Sequence, residues 1–243
     1  MKQLSGVVAI VTGASSGIGK AIAELYADEG ATVVLVSRNQ EKLDLAVSGI
    51  TALGGSATSF AADVTSEADV TKLFATVLEK FGRVDVLINN AGVTTRLPTV
   101  ELPAEDWKRV IDVNVTGVFL CSKAALQIMK KNQSGRIINI GSVAAKAPRQ
   151  HAIAYSTSKS ALEGLTRSLA LDAREYGETA SLIQPGNTQS DLWTERGALA
   201  AKEGIMSARD VARVAVLMAA LPADVNMYEA VIHPIRMPWM GRG

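Results

Sequence analysis

Short apolar runs alternate along this chain with longer segments in which apolar residues recur every three or four positions. The first run, Val7-Val8-Ala9-Ile10-Val11, is uninterrupted and rich in β-branched residues, the pattern of a strand covered on both faces of a parallel sheet. Just after it, Ile18, Ala21, Ile22 and Leu25 fall on one side of a helix. Read this way throughout, the chain has strands near 7–12, 31–37, 56–61, 84–89, 135–140, 179–184 and 228–233. Helices are predicted near 18–29, 39–53, 66–81, 104–131, 154–176 and 207–220, with Gly30 and Gly54-Gly55 at helix ends. Strict alternation of strand and helix predicts an α/β fold: a doubly wound parallel sheet of about seven strands with helices on both faces. No linker, repeat or low-complexity stretch divides it. A single domain over 1–243 is expected, including a substrate loop at about 187–206 and a C-terminal tail at 234–243.

The first strand leads into Thr12-Gly13-Ala14-Ser15-Ser16-Gly17-Ile18-Gly19, and the first helix follows at once. Strand, glycine loop and helix N-terminus together form an arrangement that binds the phosphates of a dinucleotide. Gly13 allows a tight turn, Gly17 lets backbone approach a phosphate, and Gly19 lets helix pack on strand. The spacing, G-x-x-x-G-x-G, differs from the commoner G-x-G-x-x-G.

Farther along, Tyr155 and Lys159 lie four residues apart in a predicted helix, so their side chains share a face. An ammonium beside a phenol favours the phenolate and is expected to lower the tyrosine pKa. A shift from about 10 to about 7 corresponds to about 4 kcal/mol of differential stabilisation. A tyrosine so tuned can give or take a proton in catalysis.

These segments, taken with others in fixed order, resemble the compact single-domain branch of the short-chain dehydrogenase/reductase family. The resemblance runs over about residues 5–235. Residues 12–19 look like its cofactor loop, Asp63-Val64 like its adenine contact, and Asn89-Asn90-Ala91-Gly92 like the motif ending its fourth strand. Asn114, Ser142, Tyr155 and Lys159 fall at its catalytic positions, and Pro185-Gly186 ends the sixth strand. The resemblance implies a Rossmann-type fold and an oxidoreductase that interconverts a ketone and a secondary alcohol by hydride transfer. It implies Tyr155 as general acid/base, and Ser142 holding the reacting oxygen. Lys159 is expected to tune the tyrosine and bind the nicotinamide ribose, and Asn114 to hold a water leading from Lys159 to solvent. It also implies cofactor contacts from Gly13, Ser15, Ser16, Gly17, Ile18, Gly19, Asp63, Val64, Asn90, Ala91, Gly92, Tyr155, Lys159, Pro185, Gly186 and Thr188. No metal is required. Reduction of 3-oxoacyl groups on acyl-carrier protein is an alternative, with Lys130, Lys131 and Arg174 as a thin basic patch; a non-catalytic NADP(H)-binding regulator is a more distant one.

The second strand ends in Ser37-Arg38-Asn39 rather than in an acid that would take the ribose hydroxyls. Arg38 offers a planar fork to a 2′-phosphate, which favours NADP(H). Because Ser15 and Ser16 stand where relatives carry a second basic residue, use of NAD(H) stays open.

Around the substrate, Ser142, Val143, His151, Ile153, Tyr155 and Trp193 are expected to line a pocket, and Leu192, Trp193, Leu199 and Met206 to form an apolar lid. The segment after Gly186 departs from the family pattern, with Thr188 where Val or Ile is common and Ser190 where Thr is common. The C-terminal stretch from Ile232 departs too. It carries Pro234, Pro238, Trp239 and Met240, and is expected to dock either on its own chain or on a neighbouring subunit.

Charge changes the picture little. There are 25 Lys+Arg against 24 Asp+Glu, a net charge of +1, which argues against nucleic acid or an anionic membrane as partner. The lone Cys121 sits in an apolar helical pattern, excludes an internal disulfide and suits a reducing, cytoplasmic setting. No apolar run is expected to be long enough for a membrane span. The family implies a homodimer or homotetramer working on a small carbonyl or alcohol.

Overall fold

The computed structural model describes residues 2–189 and 202–239. The strands are β1 (Val8–Thr12), β2 (Thr32–Ser37), β3 (Ser56–Ala61), β4 (Val86–Asn89), β5 (Gly135–Ile140), β6 (Glu178–Pro185) and β7 (Glu229–Ile232). They form one parallel sheet in the order β3-β2-β1-β4-β5-β6-β7. Each lies within about two residues of its predicted position. The order reverses between β1 and β4, and that is where a doubly wound sheet opens a crevice at its carboxyl edge.

The alternation along β1 sorts the two layers. Ala9 and Val11 face a core shared with α1 (Gly17–Asp28) and α2 (Gln40–Ala52). Val8 and Ile10 face the other core, shared with α3 (Glu67–Phe81). The long helix predicted over 104–131 is α4 (Ala104–Ile111), a π-helical turn over Asp112–Thr116, and α5 (Gly117–Asn132). Its sequence departs from expectation in one respect. By length and composition alone the helix 104–132 could cross a membrane. Here Cys121, Ala125 and Met129 of this helix pack beneath the sheet in the second core. The last two helices are α6 (Ile153–Ala173) and α7 (Ala208–Ala220), the latter opened by a Ser207–Asp210 capping box. Cys121 is fully buried, and burial pushes its thiol up to about 12, so it packs as a small apolar residue.

Polar side chains cross the middle of the sheet. Asn89 donates to Ser122 Oγ at 3.0 Å and to Asn139 Oδ1 at 2.9 Å, and Asn139 donates to Thr166 Oγ1 at 2.9 Å. This chain of bonds ties β4 and β5 to α5 and α6, the elements that carry Ser142, Tyr155 and Lys159 to the cleft.

At the opposite end of the sheet, Glu178 opens β6 with both carboxylate oxygens buried and unpaired. Burial raises its pKa to about 7 from 4.5, against the pull of Lys130. Below about 4.5 the group is protonated folded or unfolded and costs nothing. Its penalty grows as pH rises toward 7 and then stays constant. Glu178→Gln is therefore expected to stabilise the protein by about 1–2 kcal/mol at pH 8, after allowance for solvent screening, and by little at pH 4.5. Thermal melts of both proteins at the two pH values check this.

Candidate active site

Two adjoining clefts open at the carboxyl edge of the sheet. The larger, about 680 Å³, runs from the glycine loop across the ends of β2 and β3, within the usual range of a small-molecule site, about 300–1,000 Å³. Ser15, Ser16, Arg38, Asp63, Asn90 and Val93 are among its walls. Gly13 has φ +64°, and a Cβ there would lie 2.8 Å from Ala91 Cα. A Cβ on Gly19 would lie 2.4 Å from Gly13 O and from Asn90 Nδ2, so helix α1 meets the backbone of the glycine loop and the Asn90 side chain directly. The first turn of α1 holds no acid, and the side chain of Ser16, its N-cap, makes no capping bond. The open amides and the positive end of the dipole fit a phosphate group.

Asn90 explains the shape of that wall. Its Nδ2 donates to Thr12 O at 3.0 Å and Gly13 O at 3.1 Å, pinning the glycine loop to the end of β4. Asp63 Oδ1 accepts from Thr65 N at 2.9 Å and Thr65 Oγ1 at 2.8 Å. Burial alone would raise the Asp63 pKa, but these bonds and the Arg38 charge outweigh it and hold the carboxyl below its usual range. Arg38 is exposed at the cleft rim, beside Ser37 and Asn39, whose Oδ1 accepts from Lys42 N and caps α2. Ser37 and Asn39 thus hold this turn together, and Arg38 stands beside them at the rim.

The smaller pocket, about 130 Å³, continues from the first past Gly92. Ser142, Tyr155 and Lys159 all line it, with Val143, Pro185 and Thr188. Ser142 has extended backbone and caps the short turn Val143–Ala145, its Oγ accepting from Ala144 N at 3.1 Å. That bond uses an oxygen lone pair and leaves the hydroxyl proton to donate. Lys159 is 5 % exposed, and its Nζ donates to Ile140 O at 2.7 Å. Burial pushes its pKa down to about 8.

The sequence predicts a Tyr155 pKa lowered by Lys159. In the protein alone the direction is opposite. Burial raises the phenol above its ordinary value, and the hydrogen bond with Ser142 opposes that only in part. Lys159 turns its ammonium toward the Ile140 carbonyl, 5.6 Å from the centre of the Tyr155 ring, and burial lowers its own affinity for a proton. A further positive charge beside the phenol is needed to favour the phenolate.

Asn114 lies in the π turn and lines neither cleft. Its Oδ1 accepts from Val93 N at 2.8 Å, and its Nδ2 donates to Val93 O and to Ser158 Oγ, both at 2.9 Å. Ser158 in turn donates to Tyr155 O at 2.7 Å. Both amide hydrogens are committed, so the side chain braces the loop after β4 against the tyrosine's own turn of α6.

On the substrate side, Val143 faces the pocket, whereas His151 is exposed at φ +63° and Ile153 is exposed, both outside its lining. Met206 packs on the first core and bridges to Thr188, so it buttresses the wall instead of forming a lid. Ser190, Leu192, Trp193, Leu199 and Met240 lie outside the described residues. As far as Trp239, the tail packs against its own chain. Met237 lines the pocket, and its sulfur lies 2.8 Å from where a Cβ on Gly186 would be.

Arg96, Arg149 and Asn187 are among the polar residues of the pocket that had no signal in the sequence. Arg149 pairs with Glu203 through both terminal guanidinium nitrogens, Nη1 and Nη2, and Nη2 also donates to Asn187 Oδ1 at 3.2 Å. Asn187 Nδ2 donates to Glu203 Oε2 at 2.9 Å. The pair is 54 residues apart in the chain, beyond any local spacing rule.

Comparison with known proteins agrees with this geometry. A family model described as short chain dehydrogenase matches residues 7–200. A 3-oxoacyl-[acyl-carrier-protein] reductase from Synechocystis sp. is 42% identical over 193 residues, 79% of this chain and 78% of that protein. Glucose 1-dehydrogenase 2 from Bacillus subtilis is 43% identical over 200 residues, 80% of this chain and 78% of that one. A metagenomic short-chain oxidoreductase, crystallised in complex with NADP, superposes with a TM-score of 0.85 at 36% identity, covering 96% of this chain and 98% of that one.

Proposed function

We propose that this chain, which belongs to the short-chain dehydrogenase/reductase family of oxidoreductases, interconverts a small ketone and its secondary alcohol with NADP(H), using Tyr155 as general acid and base. The carrying observation is one pocket lined by Ser142, Tyr155 and Lys159 that opens directly into the cleft of the glycine loop. Residues 13–19, Arg38, Asp63 and the Asn90–Gly92 turn would hold the cofactor, which would supply or accept the hydride when bound. Ser142 donates its hydroxyl proton to the carbonyl oxygen and fixes it as charge develops there. Tyr155 delivers a proton to that oxygen in reduction and removes it in oxidation. Lys159, cationic below about pH 8, helps to stabilise negative charge on the phenol, and the cationic ring of an oxidised nicotinamide would be the further positive charge. Asn114 acts as a positioning residue through Val93 and Ser158.

Preference for NADP(H) rests on Arg38, exposed at the rim of the larger cleft. Arg38→Ala is expected to raise the KM for NADPH at least about tenfold, the value of one charge-assisted contact, and to leave the KM for NADH almost unchanged. Initial rates with both cofactors decide. Equal sensitivity of the two would remove the assignment.

Reduction of 3-oxoacyl groups on acyl-carrier protein is the second reading, supported by the Synechocystis relative. The thin basic patch it needs lies elsewhere: Lys130 and Lys131 end α5, which leads into the start of β5, the far end of that strand from Ser142. A homo-oligomer is supported by the exposed apolar faces of α4, α5 and α6, where Trp107, Phe119 and Leu171 are 37%, 50% and 57% exposed. A reducing, cytoplasmic setting fits the one buried thiol.

A further inference from the structure

Two prolines and two glycines bring one methionine to the small pocket. Beyond β7, Pro234 and Pro238 fix the backbone and remove its N–H groups, so the strand cannot continue. Met237 N donates to Pro234 O at 2.9 Å and closes a tight turn, and Trp239 N donates to Met237 O at 2.8 Å. The Trp239 ring lies beside His233, with centroids 6.2 Å apart, which ties the two ends of the turn together. The turn rests on glycines. A Cβ on Gly186 would lie 2.7 Å from His233 Cβ and 2.8 Å from Met237 Sδ, and one on Gly204 would lie 3.0 Å from Pro234 Cβ. Gly186 is not in the left-handed region, so its own backbone does not call for glycine. The three atoms nearest to a Cβ there all belong to the tail, so the close approach of the tail is what a side chain at 186 would disturb.

Met237 lines the small pocket with Ser142 and Tyr155 and does not line the larger cleft. Arg149, Lys159 and Asn187 on the same walls are fixed by bonds to Glu203 and to Ile140 O. The apolar walls Val143, Ala144, Ala147 and Ala152 are short side chains. Met237 is long, half-buried and unbranched, and it comes from a segment outside the sheet. From this we infer that Met237 is a specificity-determining residue: its side chain sets the largest ketone that can reach Ser142 and Tyr155. The inference rests on the reading of the pocket as a carbonyl-reducing site and deepens it, because the tail then defines the substrate class as small ketones. The pocket's volume of about 130 Å³ is what remains with the methionine in place. In an apolar pocket one methylene of misfit changes kcat/KM by about 10–200-fold. A thioether chain bends around a ligand more readily than a branched one, so selection by size is graded along a series.

A graded series tests it: 2-butanone, 2-hexanone and acetophenone, by initial rates of NADPH oxidation. In Met237→Ala the kcat/KM ratio of acetophenone to 2-butanone is expected to rise at least about tenfold over wild type, with 2-hexanone between them. Met237→Leu, which nearly conserves the volume, is expected to keep the wild-type ratio. A ratio unchanged in Met237→Ala, or moved as far by leucine as by alanine, overturns the inference and leaves the redox function standing. A rise in the KM for NADPH with no change in the ratio places Met237 against the cofactor and overturns it too. Absence of turnover with every ketone contradicts the redox function itself. In that event saturation-transfer NMR with 2-butanol and 1-phenylethanol, with NADP present, still decides. Binding of 1-phenylethanol strengthened by Met237→Ala relative to 2-butanol supports the size limit, and no such gain overturns it.

Discussion

Tyr155→Phe is expected to lower kcat/KM for carbonyl reduction by about 10²–10⁴-fold, the range of a positioned proton donor, while NADPH binds with near wild-type affinity. The substitution keeps the ring and removes only the hydroxyl. The larger cleft, formed by the glycine loop, Arg38, Asp63 and the β4 turn, does not include Tyr155. Loss should therefore fall on kcat. Initial rates and fluorescence titration of NADPH with the same preparations separate the two effects. Equal loss in binding and turnover would mean that the phenol shapes the cleft instead of moving a proton.

Lys159→Met is expected to do two opposite things. Activity falls by about 10²-fold or more, because the phenol loses the cation that steadies its charged form. Stability of the ligand-free protein at pH 7 rises. The folded-state pKa, about 8, lies below the ordinary 10.5. Above 10.5 the amine is neutral folded or unfolded and costs nothing; as pH falls through 8 the folded protein must bury a charge that the unfolded chain keeps in water. The full shift is worth about 3 kcal/mol, less about 1 kcal/mol for the lost bond to Ile140 O. A gain of about 2 kcal/mol is thus expected at pH 7, vanishing toward pH 10.5. Thermal melts of both proteins across that range check it. A methionine variant less stable at pH 7 would show that Lys159 is structural. An opposite sign of effect on activity and on stability is what a strained catalytic group produces.

The architecture was readable because its strands are buried on both faces. Runs such as Val7–Val11 and Ala31–Val36 carry so little polar character that neighbouring helices must cover them, and every strand appears close to its predicted place. The phosphate loop was readable for a related reason: Gly13 and Gly19 sit where a Cβ would strike backbone, and that need leaves a mark in the sequence. What stayed hidden depends on distance along the chain. Arg149 meets Glu203 across 54 residues, and Met237 returns to the pocket from the far terminus. His151 was expected to line the pocket and stands outside its lining. Helix α6 begins only at Ile153, and His151 precedes it with a left-handed backbone. The Tyr155–Lys159 spacing was right about proximity and wrong about electrostatics. Sequence shows which side chains are neighbours, but a pKa also depends on how much water surrounds them, and here burial dominates both groups.

The central claim is that hydride passes between the cofactor held in the larger cleft and a carbonyl carbon held in the smaller one. The most direct measurement uses NADPH deuterated at C4 with short oxo acids, simple ketones and a 3-oxoacyl thioester, and analyses the products by mass spectrometry. The account predicts an alcohol carrying one deuterium on the carbinol carbon, formed by the wild-type protein and at least about a hundredfold more slowly by Tyr155→Phe. NADPH that binds tightly while every carbonyl is recovered unchanged, or an alcohol formed without deuterium, would contradict it.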